Sequence, residues 1–568
     1  MQYFSTRGTS PAVSSAQAVV DGLAPDGGLY IMAASEIPQL DLSALCDLDY
    51  PALSAKVLSA LMPDFSAEEA LTLTRAAYLE KFSTPLVAPL RDAGGELFLE
   101  LFHGPTAAFK DVALCLLPHL MTSASRKCGH EGDILILTAT SGDTGKAALE
   151  GFRDVDGIRI LVFFPRDGVS PVQKAQMVTQ AGTNVKVCAV EGNFDDAQSG
   201  VKRIFEATPD GLSSANSINI GRLVPQVAYY FSAYFAAVRL GRIAFGEALN
   251  YAVPTGNFGD ILAGYLAMRM GLPVGKLICA SNANNVLTDF LRTGVYDRRR
   301  PFHKTFSPSM DILISSNLER LLYLESGDSA LVSSLMAQLK AEGHYTVPAP
   351  LLEKLQARFV PFYCDDDATI AGISEVWSKS RYLIDTHTAV ARQAAKACDL
   401  GPTVILSTAS PYKFPAAVCS AIGVPPAGDE FAQMDALEKA SGVAMPENLR
   451  GLRDRPVLHT DCVAPADMPA YVSAKRAEPS WVKYNGKEER DVYHLFGYGG
   501  CSDPRNLDRL FRGQRHPGAA PHHPGRAGLR QAHALAHRHF EGARSGPQGD
   551  PGRHRHRRPS ARRQGISG

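Results

Sequence analysis

The sequence has no surplus charge of either sign: Lys plus Arg and Asp plus Glu each number 58. That removes the long-range field that gathers nucleic acid or an anionic membrane surface around a protein. No stretch approaches the roughly 18 uninterrupted apolar residues of a membrane-spanning helix. The first residues, Met1-Gln-Tyr-Phe-Ser-Thr-Arg-Gly8, lack the basic and then apolar segments of a secretory signal. The ten cysteines are scattered, form no CxxC pair and suit a reducing compartment. No HExxH and no GxSxG occurs, so a metalloprotease or serine hydrolase is unsupported. Asp365-Asp-Asp367 lacks the glycine and distal glutamate of a calcium loop, and no metal is expected. These absences leave a cytoplasmic protein that handles a small molecule, with neither nucleic acid nor membrane as partner.

What is present is a chain of 568 residues, 45% hydrophobic, long enough for more than one domain. Residues 1–90 space their apolar residues helically, as in Leu53, Val57, Leu58 and Leu61, which predicts an N-terminal helical region. Beyond it, apolar runs alternate with helical stretches: Leu97–Phe102, Asp133–Thr138, Ile158–Phe164, Val185–Val190, Leu249–Pro254, Lys276–Ser281 and Thr403–Ser407. Runs that are continuous rather than alternating predict strands covered on both faces, hence an α/β fold built on parallel sheet. Such sheets bind ligands at the carboxyl ends of their strands. From residue 473 to 568 the chain passes into Arg, His, Pro and Gly, with almost no β-branched residues toward the end. This tail is expected to be disordered or translated out of frame; a basic tail binding polyanions is the other reading.

The turns after the strands carry the candidate chemistry. Lys110, in His103-Gly-Pro-Thr-Ala-Ala-Phe-Lys-Asp111, is flanked by Phe109 and the run Val112–Leu117. Desolvation there favours the neutral, nucleophilic amine that a Schiff base requires. The loop Ala139-Thr-Ser-Gly-Asp-Thr-Gly-Lys146 offers backbone N–H groups and the hydroxyls of Thr140, Ser141 and Thr144 to a carboxylate or phosphate. It is no nucleotide P-loop: Thr140 stands where the first glycine belongs and Ala147 where the metal-binding hydroxyl belongs. Gly256-Asn-Phe-Gly-Asp260 opens a helix after a strand and can wrap a phosphate, although a bare Gly-Asn-x-Gly is also an ordinary turn. Ser217, Asn219 and Arg222 have the composition of an oxyanion clamp, or equally of a helix cap. Ser407-Thr-Ala-Ser-Pro-Tyr-Lys-Phe-Pro415 places hydroxyls at a late strand end.

The set and its order resemble the pyridoxal-phosphate enzymes of the tryptophan synthase β type. Within them the sequence is similar to the threonine synthase family, through Tyr3–Gly8, Gly22–Tyr30, His103–Asp111, Ala139–Gly145, Asn216–Arg222, Thr255–Asp260, Ser307–Arg320 and Asp385–Val390. The resemblance covers roughly residues 1–470 and implies a catalytic region at 91–472, with a smaller lobe at about 111–240 inserted in a larger one. It implies pyridoxal 5'-phosphate as cofactor and O-phospho-L-homoserine as substrate, converted with water to L-threonine and phosphate by a monomer or homodimer. Lys110 would hold the cofactor and move protons. Asp143, Gly256, Asn257, Phe258, Gly259, Asp260 and Thr408 would surround the cofactor, Asp260 through its backbone N–H. Asp143 departs from the asparagine that the wider fold places at the cofactor's 3-oxygen. Thr140, Ser141, Thr144, Ser217, Asn219 and Arg222 would bind substrate. The alternatives are another enzyme of the same fold, such as a serine or threonine dehydratase or a phosphoserine-using synthase, and a non-catalytic homologue.

Overall fold

Two sheets carry the strands expected from the continuous apolar runs. The computed structural model describes residues 1–130, 132–140, 142–207, 211–478 and 481. The six-stranded sheet has the order Phe359–Tyr363, Val274–Ser281, Leu249–Pro254, Thr403–Ser407, Glu96–Glu100, Leu90–Ala93. Neighbours among the first five run parallel, while the edge strand Leu90–Ala93 pairs antiparallel. Ala93 faces Glu96 across Gly94 and Gly95, which take φ of 63° and 90°. A two-residue hairpin needs positive φ there, and glycine supplies it without strain.

The five-stranded sheet has the order Cys462–Val463, Val185–Val190, Ile158–Pro165, Ile134–Ala139, Leu212–Ser213, all parallel. Every residue of Ile134–Ala139 and of Leu249–Pro254 is buried, as continuous rather than alternating hydrophobicity requires. The helix Ile220–Arg239 leads back from the smaller sheet to the larger and packs on the helices Tyr50–Leu61 and Gly259–Arg269.

The N-terminal region contains the expected helices, among them Ser15–Asp21, Tyr50–Leu61 and Ala67–Tyr78, capped by Ser14, Asp49 and Ser66. It also contains an antiparallel pair, Tyr3–Ser5 with Tyr30–Met32, that helical periodicity does not announce. Arg7 and Thr6 bond the Glu319 carboxylate at 2.9 and 2.6 Å, tying this region to the helix Leu318–Ser326. The expected start of the tail, residue 473, falls inside the helix Met468–Ala477. Met468, Val472 and Trp481 are buried with Leu135, Leu161 and Phe163 of the smaller sheet in one apolar cluster. The rest of the tail lies outside the described residues. Among those described, no helix is long and apolar enough to cross a membrane.

Trp481 donates from Nε1 to the Lys475 carbonyl at 2.8 Å, and its ring lies 5.5 Å from the Arg159 guanidinium. Trp481→Ala should therefore lower the free energy of unfolding by about 3 kcal/mol. A guanidinium titration checks this; a loss below about 1 kcal/mol is inconsistent with a residue that closes a core.

Candidate active site

Lys110 opens the helix Lys110–Leu114, after a loop sewn to the end of a neighbouring strand. Leu101 N donates to Ser407 O at 2.9 Å, Phe109 N to Thr408 O at 2.8 Å and Ser410 N to Ala107 O at 3.0 Å. Inside the loop, the Asp111 carboxylate accepts from Thr106 N at 2.8 Å and Thr106 Oγ1 at 2.6 Å. Gly104 makes that closure possible, since a Cβ there would come within 2.4 Å of the Asp111 Cβ. Ala107 takes φ of 58°, a strained conformation held by the bonds on either side. The Lys110 side chain is 12% exposed, and its Nζ lies 4.8 Å from the Phe109 ring centroid. Burial is the main cause that pulls its pKa below the usual lysine range; Asp143 opposes it, and Lys413 and Arg222 add to it.

Asp143 begins the helix Asp143–Phe152 at the end of the strand Ile134–Ala139. Its Oδ2 is 3.9 Å from Lys110 Nζ, and its Oδ1 is 2.7 Å from Lys413 Nζ and accepts from Gln173 Nε2 at 3.0 Å. Although burial opposes it, the two lysines together hold this carboxyl well below the usual carboxylate range. Thr140 Oγ1 accepts from Gly142 N at 3.0 Å and Gly145 N at 2.9 Å, so its hydroxyl shapes the loop. Thr144 is half-buried, and its hydroxyl has no bond to another described residue. Ser141 lies outside the described residues.

The turn Gly256-Asn-Phe-Gly-Asp260 follows the strand Leu249–Pro254 and starts the helix Gly259–Arg269. Phe258 takes a left-handed φ of 62°, and among the described residues the backbone N–H groups of 256–260 have no protein acceptor. Unused amides at a helix start form an anion cup. A Cβ on Gly256 would lie 3.0 Å from the Ser309 carbonyl, so the segment Ser307–Asp311 rests directly on the cup. Ser315 Oγ donates to Gly256 O at 2.7 Å, and Ser309 N donates to His387 Nε2 at 3.1 Å while His387 Nδ1 meets Asp385 at 2.8 Å. The Asp260 carboxylate is held inside the protein: Tyr229 and Tyr230 donate to its Oδ1, and its Oδ2 is buried without a partner. Burial pushes this carboxyl up to about 6.

Asn317 joins the cup to the third candidate segment, donating from Nδ2 to Asn257 O at 3.1 Å and to Ser217 O at 3.2 Å. Ser217 Oγ is 3.5 Å from Ser316 Oγ. Asn219 caps the helix Ile220–Arg239, accepting from Gly221 N at 2.9 Å and donating to Val19 O at 2.9 Å and Ser214 O at 3.2 Å. Its amide is engaged by the protein at both ends. Arg222 donates to the Ala215 carbonyl, keeps a buried Nε without a partner, and is pulled down to about 10 by burial. Thr408 is buried beside Phe109, and its carbonyl receives the loop that carries Lys110. Sequence reasoning passed over Lys413, Gln173, Asn317 and the Asp385–His387 pair. Lys413 carried a usable signal, a lone cation between aromatic and proline residues at a strand end; the others are ordinary polar residues whose roles arise from packing.

A buried amine of lowered pKa, an amide cup without an acceptor and an arginine with an unused buried donor fit a phosphorylated carbonyl cofactor and an anionic substrate. Comparison with known proteins points the same way. Family models for the threonine synthase N terminus, for pyridoxal-phosphate-dependent enzymes and for the threonine synthase C-terminal region match residues 2–78, 79–409 and 388–466. A threonine synthase of Pseudomonas aeruginosa is 41% identical over 440 residues, covering 75% of this chain and 92% of that protein. Human threonine synthase-like 1 is 42% identical over 437 residues, 72% of this chain, and the chain spans 58% of that protein's length. The crystal structure of a pyridoxal-phosphate-bound threonine synthase from Brucella melitensis matches with a TM-score of 0.75 at 39% identity, over 84% of this chain and all of that one.

The Asp260 carboxyl gives a pH test. Its pKa in the fold is about 6, above the ordinary 3.8, so the folded state binds the proton more tightly than the unfolded state. Its contribution is present below pH 4 and is lost as the pH rises through 6. Asp260→Asn cannot ionise, so in the cofactor-free protein it should gain about 2 kcal/mol relative to wild type between pH 4 and pH 7. Melting curves of both proteins across that range check this, and a difference that does not change with pH contradicts it.

Proposed function

The chain belongs to the threonine synthase family of pyridoxal-phosphate-dependent enzymes, and from that premise we propose that it converts O-phospho-L-homoserine and water to L-threonine and phosphate. The observation that carries this reading is the pairing of one buried amine, Lys110, with two separate places for an anion, the 256–260 cup and the Arg222 guanidinium. A cofactor phosphate needs one of them. A substrate whose own phosphate departs needs the other. A dehydratase substrate carries no phosphate, so the dehydratase alternative leaves the buried Arg222 Nε without a function.

When bound, the cofactor supplies an electron sink that acidifies hydrogens on the substrate carbons conjugated to it. The backbone N–H groups of Gly256, Asn257, Phe258, Gly259 and Asp260 would hold its phosphate, and the Thr408 hydroxyl would meet its ring nitrogen. Asp143 would flank it beside Lys110. Lys110 is held where its neutral Nζ takes a proton from the substrate's Cα, gives that proton up, and only then, neutral again, takes one from Cβ; it returns a proton to the carbon chain once phosphate has left and water has added at Cβ. One base serves these steps because burial weakens its hold on each proton. Arg222 presents its guanidinium to the phosphate and stabilises the charge that grows as the C–O bond breaks. Thr144 and Ser141 are the proposed contacts of the substrate carboxylate, and Ser217 of the phosphate. Thr140 and Asn219 shape the two segments that present them. The nine cysteines among the described residues are free thiols, in keeping with the proposed cytoplasmic setting.

Arg222→Ala should lower phosphate release from O-phospho-L-homoserine by roughly 10²–10³-fold while the visible absorption of the bound cofactor remains. Equal loss of both would refute its assignment to substrate. Wild-type protein should release phosphate from O-phospho-L-homoserine in preference to O-phospho-L-serine, and the reverse preference would move the chain to the phosphoserine-using relatives.

A further inference from the structure

Two lysines approach the same buried carboxylate, and they approach it differently. Lys413 has no exposed side-chain surface, sits 2.7 Å from Asp143 Oδ1 and donates also to the Thr106 carbonyl at 3.1 Å. Lys110 is 3.9 Å from Asp143 Oδ2, and its other close neighbour is the Phe109 ring. Thr106 lies in the loop that Asp111 closes just before Lys110, so Lys413 bonds both the carboxylate facing Lys110 and the loop that carries Lys110.

We propose that Lys413 is a positioning residue of this site: it is the permanent counter-ion of Asp143, and by occupying Oδ1 it leaves Lys110 as the lysine free to react. The inference rests on the reading of Lys110 as the cofactor-bearing amine. A single carboxylate among two buried ammonium groups compensates only one of them. Asp143 compensates the cation with the shorter contact, the second acceptor and the complete burial. The longer, single contact of Lys110 lets it release its proton. Gln173 also donates to Oδ1, so the carboxylate cannot turn that oxygen toward Lys110 without losing two donors. The remaining charged groups that bear on Lys110 are Arg222, which adds positive charge, and Asp111 and Asp260, whose pKa values burial raises to about 6. Neither aspartate is a better counter-ion than Asp143: Asp111 is engaged by Thr106, and Asp260 by Tyr229 and Tyr230.

If Lys413 is removed, Asp143 has only Lys110 to pair with. The reactive amine then becomes the counter-ion and gives up its proton only at higher pH. The test measures the rate at which acetic anhydride acetylates Lys110 in the full-length, cofactor-free protein as a function of pH, read by peptide mass. Lys413→Gln should move the midpoint for Lys110 up by at least about one pH unit. Asp143→Asn, which keeps Lys413, should move it down. The double variant, with a neutral pair, should return near wild type, and Lys413→Arg should stay there. In the holoenzyme the pH dependence of the visible absorption should shift in the same directions. An unchanged Lys110 midpoint in Lys413→Gln overturns the proposal. If that variant does not fold, the double variant decides: a midpoint far from wild type overturns the proposal, and one close to it supports it. Because the labelling is done without cofactor, a failure of the function reading leaves these shifts intact, whereas a failure of this inference removes them.

Discussion

A charged side chain taken out of water needs a partner, and the centre of this molecule is arranged around that requirement. Asp143 and Lys413 are buried and Lys110 is largely so, with one carboxylate serving two amines at 3.9 and 2.7 Å. The contacts are unequal: Lys413 holds the carboxylate closely, while Lys110 stands farther from it and burial pulls its pKa down. The three residues come from three segments far apart in sequence, so the charge balance also fixes the geometry: the loop before Lys110, the start of the Asp143–Phe152 helix and the turn at Pro411–Lys413 must meet for any of the charges to be satisfied.

The sheets make that meeting possible. Parallel strands bring their carboxyl ends to one edge, and the loops after Glu96–Glu100, Leu249–Pro254 and Thr403–Ser407 all leave the larger sheet there. The loop at Asp143 leaves the smaller sheet in the same way. Around these loops a layer of side-chain-to-backbone bonds removes slack: Asn317 bridges Asn257 to Ser217, Ser315 holds Gly256, and the Asp385–His387 pair receives Ser309. Chemistry at this site gains from such a layer, because reacting groups held in place need little reorganisation.

Much of this was legible in the sequence, and physical reasons separate what was from what was not. The long central strands were readable because burial on both faces demands unbroken apolar runs. The strand pair Tyr3–Ser5 with Tyr30–Met32 and the two-residue strands Leu212–Ser213 and Cys462–Val463 were not, since short strands exist by virtue of their neighbours and leave no periodicity. Lys110 stood out because its neighbours are apolar. Lys413 had the same kind of surroundings, but the hydroxyls beside it drew the reading. Asn219 caps a helix, one of the two uses that an amide beside a helix start serves with the same residue. Asp260 was expected to keep its side chain out of the chemistry on grounds of charge; the two tyrosines that hold it come from the distant helix Ile220–Arg239, which no local pattern reveals.

The account turns on Lys110 being the amine that bears the cofactor. The most direct measurement is reduction of the purified protein with borohydride, followed by mapping of the modified peptide. The account predicts loss of the visible absorption band and a reduced pyridoxyl group on Lys110. A band that survives reduction, or an adduct on Lys413 or any other lysine, would contradict it.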